Sequence, residues 1–531
     1  MKRNYNIREL TNGKNGVLIR GNPALSRGVE FYSLSEIKNI SGKNAVSFGV
    51  VADFNDNEIS KVVYVYSQNS FSQIGLDTMT MTSHQGVTVT VAKSIFGPNV
   101  GRIVASVPSY SVNISSANLM SSGSDTVYEL FSDKVAGSST ISLDNLDQDM
   151  GRIFILEPYV NSTSSGNFDG NEYADYAFSN SESYGKVDVF LGLQNMPFHN
   201  SNKFLNGSNG FSFYNSLNEK GFGAQVIFCD ITGDQRDELM ISSPYSNKVY
   251  VLKPDKDLPK FFDIQSAIEN KSAFYFEGIW GGLGSSLACG DVNSDGRKDL
   301  SMTTPEYTDG VGYGFGGVVV YYGKNNFNQS RYDLTIKDNS KFAFLIGNKD
   351  FPIGSSVTAG HDINKDGNND LCVGARGQKN QNEGAIFCVF GNPYLATGKI
   401  SIFIDDLRNG FVLNSGESCN LGHSVKLVED MNDDKIADLA VGCGNNGAFV
   451  FGFDRKIAPS ASPQPVPSPS PVLIINSVDQ DIYDYIFIGF IACGTLLITC
   501  LQEAILQNIQ NLLGEIQFGE GYDPLHADLD V

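Results

Sequence analysis

Four acidic loops are the part of this sequence best suited to chemistry. They carry Asp230, Thr232, Asp234 and Glu238; Asp291, Asn293, Asp295 and Asp299; Asp362, Asn364, Asp366 and Asp370; and Asp430, Asn432, Asp434 and Asp438. In each, side-chain oxygens fall at positions 1, 3, 5 and 9 of a nine-residue stretch. Calcium takes six to eight oxygens from a flexible loop, and a backbone carbonyl at position 7 adds to such a set. Position 6 must turn sharply, and Gly296 and Gly367 permit that turn. Gln235 and Lys435 stand there instead in the first and last loops, which are expected to bind more weakly. About four structural Ca2+ ions are the expectation; the competing interpretation is an Asx-rich hairpin turn that holds nothing. Four such loops in register favour the ion. Upstream, the series Asp53, Asn55, Asn57 ends on Lys61, and Ser94 stands where another first Asp belongs, so no ion is expected at either. The stretch with Asp169, Asn171, Glu172 and Asp175 is ambiguous.

Short strands must hold these loops. GFGAQVIFCDITGDQRDELMISSP from Gly221, GLGSSLACGDVNSDGRKDLSMTTP from Gly282, PIGSSVTAGHDINKDGNNDLCVGA from Pro352 and NLGHSVKLVEDMNDDKIADLAVGC from Asn420 align on sight. The spacing of roughly 60–70 residues suits a four-stranded unit with its loops. Each unit opens on an apolar residue and Gly, runs through an apolar strand into the acidic loop, and returns in a second strand. A third strand follows: KVYVL, GVVVYYG, GAIFCVFG and GAFVFGF, rich in the β-branched and aromatic residues of sheets. The pattern continues upstream in worn form. GRIVASVP from Gly101 reads as a second strand and turn. GRIFILEPYV from Gly151, DYAFSN and GKVDVFLG read as three strands of another unit, and AVSFGVVADFNDNE with KVVYVYS as one more, giving seven units. The seventh lacks a fourth strand, which GVLIRGN from Gly16 is placed to supply.

These repeats resemble the FG-GAP repeats, of the form FGxxVxxxDxNxDGxxDLxVGAP followed by GxVYVF, that build the head of integrin α subunits. The resemblance covers roughly residues 15–455, closely in the four later units and loosely in the three earlier ones. It implies an all-β, seven-bladed β-propeller with calcium in the last four blades. It also implies a calcium-stabilised, membrane-anchored recognition protein whose ligand, a protein or glycan, docks on the face opposite the calcium. Tyr214, Phe274, Tyr275 and Trp280, in the connections around 198–213 and 273–280, are the aromatic candidates for that contact. The alternative is an accessory membrane protein of the secretory pathway. No inserted domain fits between the second and third units, no leg domains precede the apolar run near the C-terminus, and no GFFKR-like motif follows it. An integrin β-like partner is therefore not implied.

Beyond the repeats, Pro and Ser dominate 456–478, an extended stalk of ~40 Å over its Pro-rich part at ~3.1 Å per residue. An uncharged run at 485–501 is read as a transmembrane helix, and an amphipathic, acidic tail fills 502–531. No Lys or Arg follows Lys456, so charge asymmetry does not orient the span. MKRNYNIREL is not a signal peptide, and an upstream segment bearing one is expected for a chain whose head is extracellular or luminal. Sequons at Asn39, Asn113, Asn161, Asn206, Asn270 and Asn328 agree with a glycoprotein. The net charge of −21 excludes nucleic acid as a natural partner and favours cations. The eight Cys show no zinc spacing; Cys372 with Cys388 and Cys419 with Cys443 fit local disulfides in an oxidising compartment, or buried free thiols. No HExxH or GxSxG motif occurs, and GYGFGG at 312–317 lies between two strands rather than before a helix, so no enzyme is expected.

Overall fold

The computed structural model describes residues 147–452, interrupted by short stretches of which 392–400, 377–382 and 404–409 are the longest, together with the backbone of strands between residues 3 and 131. The chain divides into two units, 1–459 and 460–531, and the second lies outside the described residues. The stalk, the apolar run at 485–501 and the acidic tail therefore lie outside them too. Among the described residues no helix is long and apolar enough to cross a membrane.

The first unit is all-β, with one short α-helix, Ile264–Glu269, among its described residues. Its described strands form seven sheets. The first holds Val29–Ile40, Lys43–Phe54 and Asn57–Tyr66; the second Thr88–Lys93, Gly101–Val107, Asp125–Phe131 and Gly151–Leu156. The third holds Val160–Gly166, Asp175–Asn180, Lys186–Phe190 and Gly210–Tyr214; the fourth Val226–Cys229, Glu238–Ser243, Lys248–Leu252 and Ala273–Glu277. The fifth holds Leu287–Gly290, Asp299–Thr304, Gly317–Tyr321 and Phe342–Ile346; the sixth Ile353–His361, Asp370–Arg376, Gly384–Val389 and Gly410–Asn414. Val425–Val428, Asp438–Cys443 and Asn446–Val450 begin the seventh, and Gly16–Arg20 completes it, pairing antiparallel so that Gly16 faces Val450. The N-terminal segment thus supplies the fourth strand expected of it.

Alternation along each strand explains why the third strands are apolar throughout. In Lys248–Leu252, Val249 and Val251 pack into a core shared with the fifth sheet, while Tyr250 and Leu252 pack into a core shared with the third. Successive side chains point to opposite faces, and here both faces are covered. The described hydrophobic core is accordingly a series of layers between neighbouring sheets.

Two further devices join the sheets. The connection between third and fourth strands lays a short parallel strand on the outermost strand of the preceding sheet. Phe261–Asp263 lies on Gly210–Tyr214, Arg331–Asp333 on Ala273–Glu277, and Ser401–Phe403 on Phe342–Ile346. His199–Ser201, Arg3–Asn6 and Ile74–Gly75 repeat the arrangement at three other junctions. At the opposite edge, first strands are joined by side chains. Ser162 and Ser164 Oγ accept from the Val226 and Phe228 N–H groups, Ser286 Oγ from Val357, and Thr358 Oγ1 from Leu427. A first strand has a free edge, and a buried free edge needs partners for its N–H groups.

That edge chemistry accounts for strands that sequence reasoning misassigned. Val160–Gly166 is the first strand of the third sheet although it reads VNSTSSG; its hydroxyls serve the next sheet, so it lacks an apolar signature. GRIFIL, assigned to the third unit, instead forms the fourth strand of the second sheet. AVSFGVVADF belongs to the second strand of the first sheet rather than its first, because Val29–Ile40 precedes it. The segments 198–213 and 273–280, taken as connections between units, contain the fourth strands Gly210–Tyr214 and Ala273–Glu277. Gly317, the last residue of GYGFGG, faces Thr304 across an antiparallel strand pair.

Of the two expected disulfides, Cys372–Cys388 is present across paired strands. Cys419 lies outside the described residues. A disulfide not anticipated, Cys229–Cys289, joins the first strands of the fourth and fifth sheets. Because these cysteines sit one repeat apart, no local spacing announced the pair.

Thr358 is 1% exposed, and Thr358→Val keeps its shape while leaving the Leu427 N–H without its acceptor. The expected cost is about 1–3 kcal/mol in chemical denaturation. An unchanged midpoint would show that the hydroxyl links between sheets do not support the fold.

Candidate metal centre

Every acidic loop joins the first and second strands of its sheet, and the four share one hydrogen-bond skeleton. The position-1 carboxylate turns inward and accepts from the loop's own N–H groups: Asp362 Oδ1 from Asn364 and Asp366, and Oδ2 from Gly367. Asp230, Asp291 and Asp430 take equivalent bonds from residues 234 and 235, 295 and 296, and 434 and 435. At position 5, Asp234, Asp295, Asp366 and Asp434 each accept from the N–H two residues on. This winding requires left-handed backbone at position 6, where Gln235, Gly296, Gly367 and Lys435 have φ of 70°, 86°, 91° and 68°. The turn expected to be strained in the first and last loops is thus made without glycine.

Position 9 anchors the loop to the sheet. Asp299 Oδ2 accepts from Val292 and Asn293, while its Oδ1 accepts from Gly323, just past the third strand. Asp370 is held by Ile363 and Gly391, and Asp438 by Met431 and Gly452. The glycine is required by space: a Cβ at Gly391 would stand 1.8 Å from the Asn369 carbonyl oxygen. These glycines were not singled out as site residues, although each follows its third strand in the repeats. In the fourth sheet, Glu238 bonds instead to the Ile231 N–H and the Thr232 hydroxyl.

A fifth loop follows the same pattern. Asp175 Oδ2 accepts from Phe168 and Asp169, and its Oδ1 from Gly192. Counting back from Asp175, position 1 is Asn167, which accepts from Gly170. In this register Asp169 and Asn171 fall at positions 3 and 5 of the stretch that its sequence left ambiguous.

Burial dominates the electrostatics. It pushes Glu238 and Asp299 up to about 7 and Asp370 and Asp438 up to about 8, against the N–H donors, with neighbouring carboxylates adding to the rise. For Asp370 those neighbours are Asp362 and Asp366. Asp175 is raised to about 7, by burial first and Asp169 second.

Does this donor set suit a cation? Among the described residues no three His, Cys, Asp or Glu side chains form a ready cage, the position-1 carboxylates being turned onto their own loops. The loop at 362–370 nonetheless contains an orphan. Asn364, at position 3, is 0% exposed, and among the described residues neither its Oδ1 nor its Nδ2 has a partner. Leaving a buried amide unpaired costs about 1–3 kcal/mol, and an oxygen-seeking cation at position 3 offers the missing contact for Oδ1. In the neighbouring loops the corresponding amides donate to position 5, Asn293 to Asp295 and Asn432 to Asp434. In the first loop Arg236 clasps Asp234 at 2.6 Å and competes with any ion.

The aromatic candidates fare unevenly. Trp280 is 78% exposed, Tyr214 stacks on Phe261, and Tyr275 is half-buried beneath the Lys248 ammonium. Phe274 is corrected: it is 0% exposed and stacks on Phe327 inside the core, because it lies in a fourth strand rather than a surface connection.

Two outcomes follow. With folded values above the ordinary carboxyl range near 4, the cation-free protein holds more protons than its unfolded chain between about pH 4 and pH 8. That stabilisation is complete below about pH 4 and lost as pH rises through about 7–8, so melting of the chelated protein should fall over this range. A melting temperature that rises instead would overturn the assignment of buried, protonated carboxyls. Separately, Lys435→Gly should stabilise the fold by about 1 kcal/mol by relieving the left-handed conformation, while Gly367→Ala should destabilise it similarly; denaturant titration reads both.

The chain is 27% identical to integrin alpha pat-2 of Caenorhabditis elegans over 235 residues, covering 41% of this chain and 17% of that protein. It is 27% identical to integrin alpha-6 of Homo sapiens over 291 residues, covering 53% and 22%. It is also 30% identical to phosphatidylinositol-glycan-specific phospholipase D of Bos taurus over 174 residues, covering 32% and 20%. No family model matches the chain. The chain spans about a fifth of the length of these curated relatives. It carries an integrin α-like FG-GAP repeat region.

Proposed function

We propose that this chain is a calcium-stabilised recognition protein of integrin α type. Residues 15–455 form a seven-bladed β-propeller, 456–478 a stalk, 485–501 a membrane span and 502–531 a short tail. The loops led by Asp230, Asp291, Asp362 and Asp430 each hold one structural Ca2+, most tightly at 291–299 and 362–370, where glycine makes the turn. The ion neutralises carboxylates that crowd one another at the sheet corner and so fastens two antiparallel strands. The observation that carries this reading is the orphaned Asn364 within an acidic loop. The chain binds rather than catalyses, and it acts outside the cytosol, in keeping with the disulfides Cys229–Cys289 and Cys372–Cys388.

Recognition lies at the opposite end of the sheets. Leu217 and Trp280 stand exposed in the connections between sheets, and Tyr245 stands exposed after a second strand. Antiparallel strands return every second connection to the same end, so these three share the end away from the acidic loops. The ligand is a protein or glycan able to cover exposed aromatic rings. Trp280 is retained from the sequence-based set, and Phe274 is not.

Calcium at a hundredfold excess over Kd should add about 2.7 kcal/mol per occupied site. Scanning calorimetry of the full chain should show a higher melting temperature with calcium than with chelator. Asp366→Ala should remove part of that difference, and Asp53→Ala none. Curves that coincide with and without chelator would overturn the calcium assignment.

A further inference from the structure

Four sequons fall among residues whose side chains are described: Asn161, Asn206, Asn270 and Asn328. All four are exposed, but they are not equivalent. Asn161 lies in the first strand of the third sheet, and its Nδ2 donates to the Ala224 carbonyl, 2.8 Å away in the approach to the next sheet. A sugar would replace one of the two hydrogens on that nitrogen and bring its bulk against the Ala224 carbonyl, to which the nitrogen is already held.

The other three share one position in the architecture. Asn206 lies between the third and fourth strands of the third sheet, Asn270 between those of the fourth, and Asn328 between those of the fifth. Each lies in a connection that also lays a short parallel strand on the preceding sheet. Asn270 ends the helix Ile264–Glu269, and Asn206 lies in a turn in which its Oδ1 accepts from the Ser208 N–H and hydroxyl and from Asn209. All three are exposed, and among the described residues the Nδ2 of Asn206, Asn270 or Asn328 donates no hydrogen bond. These connections leave and re-enter their sheets at the acidic-loop end, as the Gly192 and Gly323 contacts to Asp175 and Asp299 show.

We propose that Asn206, Asn270 and Asn328 carry N-linked oligosaccharides, forming a row along the acidic-loop end of three consecutive sheets, and that Asn161 carries none. The sugar donor is an oligosaccharide on a polyprenyl pyrophosphate. A bond forms between Asn Nδ2 and the anomeric carbon, the bond from that carbon to pyrophosphate breaks, the pyrophosphate leaves with the electron pair, and the amide nitrogen gives up one proton. The row crowds the acidic-loop end with hydrophilic mass and leaves the end bearing Leu217, Tyr245 and Trp280 clear. The inference rests on the extracytosolic placement proposed above, and the disulfides report that placement independently.

The test is expression of the full chain behind a secretion leader in eukaryotic cells, followed by amidase release of glycans in heavy-oxygen water and non-reducing peptide mapping. Labelled conversion of Asn to Asp is expected at 206, 270 and 328 and not at 161. Asn206→Gln, Asn270→Gln and Asn328→Gln should each remove one step of the amidase-dependent gel shift. With Cys229–Cys289 and Cys372–Cys388 oxidised, an unmodified residue among the three, or a modified Asn161, overturns the proposal. Reduced cysteines together with unmodified asparagines in the secreted chain overturn both it and the disulfide support for placement outside the cytosol.

Discussion

A carboxylate buried at the corner of a sheet has to be surrounded by donors, and much of this structure is arranged to supply them. Asp299, Asp370 and Asp438 each draw N–H groups from two separate places: the loop behind the first strand and the glycine beyond the third. One side chain on the second strand therefore binds three strands together at one end. The desolvation it suffers is severe enough to raise its proton affinity by several orders of magnitude. The acidic residues wound above it make that worse unless a cation intervenes. Stability and the ion binding proposed for these loops thus concern one corner, and a loop with asparagines at its outer positions, as at Asn167 and Asn171, keeps the corner with less charge.

Between sheets a different economy operates. The cores are layers of aromatic and branched side chains, and non-directional packing of this kind tolerates sliding. Register comes from the directional contacts at both margins. Hydroxyls of Ser162, Ser164, Ser286 and Thr358 address particular N–H groups at the inner edge, and short parallel strands do the same at the outer edge. The disulfide Cys229–Cys289 sits between two such first strands, immediately before two acidic loops, and fixes their spacing covalently.

How much of this was legible in the sequence follows from which forces leave a periodic trace. Third strands such as Lys248–Leu252 face apolar layers on both sides and read clearly, and the acidic loops repeat their spacing because every one closes on the same corner. The polar strand Val160–Gly166 was hidden because its task is hydrogen bonding rather than burial of apolar surface. Fourth strands were hidden because connections of unequal length, one of them housing a helix, separate them from the third. Asn364 was recognised by type and spacing, but its isolation from every partner depends on packing that no local pattern encodes.

The pairing of Gly16–Arg20 with Asn446–Val450 bears on how the molecule comes into being. A ribosome delivers the first of these strands long before the last, so during synthesis it has no sheet to join. The intervening sheets can assemble in order, each on the one before, while the early strand and the unsatisfied edge it will cover wait. Contacts so distant along the chain are slow to form because a large loop must close first. An exposed strand in waiting also invites association with the wrong neighbour. Closure of this sheet therefore waits for Asn446–Val450, and until that segment arrives Gly16–Arg20 lacks this partner.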